Sequence, residues 1–112
     1  MASRFRTETK EFQEKLQEIK DQEGIIGYIL RGSKSASIDL KDPKKIIEYA
    51  MLSSTTFDVG TNISEELQIG EPEKILIESE NSKFLSMNID DHRLTVFMEK
   101  NVNHDKIYRE LK

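Results

Sequence analysis

No cysteine occurs among the 112 residues, which excludes disulfides, thiolate metal sites and cysteine nucleophiles together. A positive excess is missing too: 17 Lys and Arg stand against 21 Asp and Glu, a formal net charge of −4. Nucleic-acid modules normally carry a basic excess on one face, so nucleic acid is not expected as a partner. Long apolar runs are also lacking. The opening MASRFRTETKEFQEKLQEIKDQ is too polar for a signal peptide or membrane span, and too acidic for a transit peptide. These absences lead to the expectation of a cytoplasmic protein without membrane insertion. Histidine is scarce, with only His92 and His104. Two histidines on separate elements fall short of the three or four ligands of a zinc site, so no metal or cofactor is expected.

Apolar residues make up 36% of the chain and charged residues 34%, enough for one modest core with solvated outer helices. The chain reads as a single domain over residues 1–112. Phe5, Phe12, Leu16 and Ile19 share one stripe of a first helix, which Gly24 is expected to end. GIIGYILRG (24–32) is apolar on both sides, as a strand covered on both faces requires. SASIDL follows after a short turn, with Ala36, Ile38 and Leu40 on one side, and the two runs read as an antiparallel hairpin. Asp42 caps a long helix with Pro43 in its first turn, expected to run over 43–69 until Gly70 and Pro72 stop it. Three strand-like runs, EKILIES, KFLSMNI and RLTVFMEK, form a meander, and Asn103 caps a short closing helix. The order is helix-strand-strand-helix-strand-strand-strand-helix. This is an α+β sandwich: a five-stranded antiparallel sheet flanked by helices on both faces.

Few residues carry chemistry. Gly27 to Ser35 resembles a phosphate loop with one serine inserted before Lys34. That motif needs a loop between a strand and a helix, whereas Tyr28-Ile29-Leu30 is strand and another strand follows. His92 is expected in a turn after Asp90 and Asp91, where acidic residues are ordinary. No nucleophile elbow is present, and no catalytic residue is assigned.

The long helix is built from poor helix formers, the adjacent Ser53-Ser54 and Thr55-Thr56 and Gly60 among them. At about 100° per residue, one stripe holds Ile46, Ala50, Ser53, Phe57, Gly60 and Ser64. A neighbouring stripe holds Tyr49, Leu52, Thr56, Ile63 and Leu67, with Glu48, Thr55, Asp58, Asn62 and Glu66 opposite. Apolar and small residues cover about half the circumference, more than one packing surface needs. The small stripe is expected to let a second helix approach. EKILIES follows a long connection and is expected at the sheet edge, where an apolar strand invites pairing with a second copy.

GIIGYILRGSKSASIDL resembles the opening hairpin of the roadblock (dynein light chain) superfamily. IGEPEKILIESENSKFLSMNIDDHRLTVFMEKNVNHDKIYREL resembles its meander and closing helix, and the chain as a whole is similar to prokaryotic members. The resemblance implies a non-enzymatic homodimer joined through the third strand and second helix into one continuous sheet. Here that means Lys74, Ile75, Leu76, Ile77 and Glu78 within strand 73–79. From the helix it means Tyr49, Ala50, Ser53, Phe57, Gly60 and Ser64. It further implies an adaptor or regulator that binds a Ras-like small GTPase through the paired helices. The alternatives are a structural scaffold subunit without GTPase contact, or a small-molecule-binding sandwich, for which a pocket with convergent polar groups would be the mark.

Overall fold

Phe12, Leu16 and Ile19 form the buried stripe of helix α1 (Lys10–Lys20) in a computed structural model describing Thr7, residues 9–70 and residues 72–111. Thr9 caps α1 by accepting a hydrogen bond from the Phe12 N–H at 3.1 Å. Phe5, placed on the same stripe from sequence, lies outside the described residues. The helix stops at Lys20, short of Gly24. That glycine takes φ +87° and redirects the chain into strand β1 (Ile25–Arg31).

Strand β1 pairs with β2 (Ala36–Leu40) as the expected hairpin. Beyond it come the long helix, strands β3 (Lys74–Glu78), β4 (Ser82–Ile89) and β5 (His92–Glu99), and helix α3 (His104–Leu111). The five strands form one antiparallel sheet in the order β2-β1-β5-β4-β3. The first hairpin therefore docks against the last strand, and β3 is an edge, as its sequence implied. His92 begins β5 and does not sit in the turn; the reversal is made by Asp90, at φ 55°, and Asp91.

Helices α1 and α3 cover one sheet face. Phe12, Leu16 and Ile19 from α1 and Ile107 and Leu111 from α3 meet Leu85, Leu94, Val96 and Met98 there, in the main core. Asn103 caps α3, accepting from the Lys106 N–H at 3.2 Å. The other face carries the long helix. Pro43–Lys45 form a single 3-10 turn with Asp42 accepting from the Lys44 N–H at 3.1 Å, and α2 (Ile46–Leu67) follows. Gly60 does not interrupt it. The helix ends two residues earlier than Ile69, because Gln68 adopts the left-handed conformation at φ 54° and closes the last turn.

Beneath α2 the packing is part aromatic and part polar. Phe97 is fully buried, 4.6 Å from Tyr49 and 5.1 Å from Phe84 between ring centroids. Beside it three buried hydroxyls form a chain: Ser53 Oγ to Thr95 Oγ1 at 2.8 Å, and Thr95 Oγ1 to Ser86 Oγ at 2.9 Å. Each satisfies the other, so none is left buried without a partner.

Two predictions follow from this packing and from the ion pair on the opposite face. Thr95→Val should lower urea-measured stability by about 1–3 kcal/mol, because it strands the Ser53 and Ser86 hydroxyls. Adding Ser53→Ala and Ser86→Ala should restore part of that loss. On the α1 side, Lys20 Nζ lies 2.8 Å from Asp39 Oδ1, a hydrogen bond that raises the lysine above its ordinary range. Burial, with Asp39 nearby, raises Tyr28 similarly. Both groups hold protons more firmly in the native state than in the unfolded chain. In alkali the unfolded chain releases them first, so stability should fall as pH rises beyond about 10. Tyr28→Phe should flatten that decline in a pH series of unfolding curves.

Candidate functional site

Strand β3 alternates, and its two sides meet different surroundings. Ile75 and Ile77 share the face of α2, whereas Lys74, Leu76 and Glu78 share the face of α3. On the α3 side the strand is tied down by charge. Lys83, buried on β4, donates to His104 Nδ1 at 3.0 Å and lies 3.9 Å from Glu78. Lys74 sits 4.5 Å over the Tyr108 ring and 3.8 Å from Asp105. The main-chain groups on the outer side of β3 have no neighbouring strand in the sheet.

On the α2 side the surface is apolar. Leu52, Val59, Ile63 and Leu67, at helical spacing, are 37%, 50%, 52% and 63% exposed, and Ile77 is 41% exposed. Leu52, Val59, Ile63 and Ile77 border, with Gly60 and Ile75, a hollow of about 520 Å³ between helix and edge strand. A methyl group at Gly60 would meet the tip of the Ile75 side chain, so the glycine lets Ile75 lie close against the helix. Apolar side chains dominate the lining. Of its two threonines, Thr56 already donates to the Leu52 carbonyl at 2.8 Å. Convergent polar groups, the mark of a small-molecule site, do not line this hollow.

In the single chain the small-residue stripe of the helix turns inward. Ser53, Phe57 and Ser64 are 3%, 4% and 6% exposed and Ala50, Tyr49 and Gly60 are half-buried; Ser53, Tyr49 and Ala50 pack on the chain's own sheet. Small residues do admit a close neighbour, but that neighbour is the sheet: Ser53 bonds Thr95, and Gly60 meets Ile75. A helical wheel divides the circumference without saying which side faces inward. The stripe left open holds Leu52, Val59, Ile63 and Leu67. Among the strand residues expected at the interface, Lys74, Ile75, Leu76, Ile77 and Glu78 all lie on the free edge.

The remaining sequence candidates are not drawn together. Gly27 to Arg31 is strand, and Gly27 is there because a side chain would overlap the Asp39 carbonyl across the hairpin. His92 contacts Thr7 at 3.2 Å and His104 contacts Lys83, on separate parts of the sheet. Among the described residues no three His, Asp or Glu side chains group as metal ligands, and no helix is long and apolar enough to cross a membrane. Sequence reasoning missed Val59 and the flank Ile47–Met51, although their four-residue spacings from Ile63 and from each other were visible.

The reassigned stripes predict opposite responses on neighbouring positions. Ser53→Leu should overpack the sheet interface and reduce stability by about 1–3 kcal/mol. At protein concentrations low enough to keep the chain monomeric, Ile63→Gln should stay within about 0.5 kcal/mol, as exposed substitutions do. Denaturant titration of the two variants distinguishes the faces.

No protein-family model matches the chain, and no curated protein does. Among solved structures, it is similar to a Roadblock/LC7 domain from Streptomyces avermitilis. The TM-score is 0.69 at 13% identity, over 88% of this chain and 83% of that one. At that identity the likeness rests on shape alone. The chain has the roadblock-type α+β fold.

Proposed function

We propose that the chain is a non-enzymatic adaptor or regulator that acts as a homodimer in the cytoplasm and binds a Ras-like small GTPase across its paired long helices. The observation that carries the dimer is the continuity of two unmet surfaces: the free edge of β3 and the exposed stripe of α2. An apolar edge strand seeks a strand partner. The two-fold arrangement places Lys74–Glu78 of one protomer beside the same residues of its partner, so ladder hydrogen bonds form reciprocally. Leu52, Val59, Ile63 and Ile77 then bury apolar surface against their counterparts, at about 25 cal/mol per Å² removed from water. This contact set replaces the inward-facing Ser53, Phe57 and Ser64. Tyr49, Ala50 and Gly60 support the helix from below.

The GTPase is proposed from the resemblance of the hairpin and meander to the roadblock superfamily, with the shared fold in support. In this reading the protein binds and orders a mobile segment of its partner and supplies no catalytic group. Light scattering at micromolar concentration should give the mass of a dimer. Ile77→Lys should convert it to a monomer by placing like charges together at the edge; a monomeric wild type would overturn the interface. Immobilised protein should retain a purified small GTPase differently in its GDP-bound and GTP-like states. Retention indifferent to nucleotide would instead favour a scaffold subunit.

A further inference from the structure

Arg31 at the end of β1 and Arg93 near the start of β5 stand directly opposite each other in the antiparallel register, on the α2 face. Like charges in that relation repel. Among the described residues no carboxylate pairs with either arginine, although the chain holds 21 acidic residues. Their contacts are neutral. Arg31 donates to Ser54 Oγ and, at 3.4 Å, to the Ala50 carbonyl. The Arg93 guanidinium lies 5.0 Å from the centroid of the Phe57 ring. Helix α2 thus positions both guanidinium groups without neutralising either.

Arg31 also borders a second hollow, of about 420 Å³, whose apolar wall is Ile46, Ile47, Ala50 and Met51. Ile47 and Met51 are 77% and 66% exposed, among the least covered large apolar side chains of the fold. This flank is separate from the Leu52–Val59–Ile63 stripe assigned to the dimer. No acidic side chain lines it.

We propose that the Arg31–Arg93 pair and this hollow form a docking site for an acidic segment of a partner protein. A carboxylate of that segment bridges the two guanidiniums, relieving their repulsion through charge-assisted hydrogen bonds. An apolar side chain of the same segment packs against Ile47 and Met51. Charge complementarity selects this occupant: a bare anion would leave the apolar wall open, and a purely apolar segment would leave the charges unmet. The proposal rests on the adaptor reading in assigning a protein partner, and it adds that partner's chemistry.

The test is an NMR titration of the full chain, following arginine side-chain N–H signals and Ile and Met methyl signals. Three probes are compared: a synthetic amphipathic helical peptide of Leu, Glu and Ala, the same peptide with Gln replacing Glu, and inorganic phosphate. The Glu peptide should shift Arg31, Arg93, Ile47 and Met51 together and saturably. The Gln peptide, and Arg93→Gln tested with the Glu peptide, should bind about tenfold more weakly, the weight of one or two charged hydrogen bonds. Arg93→Lys should retain part of the affinity, and unchanged thermal unfolding of both variants separates lost binding from lost fold. Equal affinity for the Gln peptide would overturn the proposal. So would phosphate saturating the arginines while the Glu peptide leaves the methyls unmoved, or the same signals moving with protein concentration alone. The titration needs no GTPase. Peptide binding without GTPase retention would overturn only the choice of a GTPase, and GTPase retention without peptide binding only the acidic site.

Discussion

The hydroxyl chain from Ser53 through Thr95 to Ser86 sets how helix α2 lies on the sheet. Hydroxyls meeting at hydrogen-bond distance bring backbone elements closer than two large apolar side chains would. Ser53 and Gly60 turn inward beside Tyr49 and Phe57, and the other large apolar residues of the helix emerge on its flanks. Leu52, Val59 and Ile63 emerge toward β3, and Ile47 and Met51 emerge on the other side. The exposed apolar flanks of α2 thus lie to either side of an interior that is part aromatic and part polar. A helix anchored by leucines would have buried the very surface that stays available here.

The two sheet faces divide the work. The face under α1 and α3 carries the larger apolar core, which accounts for most of the burial that opposes chain entropy. Strand β5, buried on both sides between β1 and β4, joins the first hairpin to the meander. With stability concentrated there, the α2 face can tolerate open hollows and an arginine pair that has no counter-ion among the described residues. Edge strand β3 belongs to both regions. Its Lys74 and Glu78 are held toward α3 and β4 by Tyr108, Asp105 and Lys83, while Ile75 and Ile77 stay on the open side.

Much of the fold was legible because it follows from short-range rules. Periodicity marked Phe12-Leu16-Ile19, alternation marked Ala36-Ile38-Leu40, and side-chain caps marked Asp42 and Asn103. Local errors also had local causes. Gln68 took the left-handed position that glycine normally fills, and the helix ended early; His92 entered β5 because the reversal needed only Asp90 and Asp91. The candidate site was legible on its strand half, where an apolar run after a long connection pointed to an edge. On the helix half the stripes were found, but which of them turns inward was not legible. Small residues admit any close neighbour, and only the sheet's own threonine and serine identify which neighbour it is.

By itself, the sequence determined the number, type and order of elements, since hydrophobic period, turn residues and caps act within a few positions of one another. It also established that cysteine is absent and that acidic residues outnumber basic ones. Tertiary structure alone decided which side of α2 faces inward, that Arg31 and Arg93 stand opposite one another, and that Gly60 meets Ile75. Those facts depend on register between strands and on contacts between residues far apart in the chain, where no local preference operates. The surfaces proposed for association therefore came into view only when the sheet and its helix were seen together.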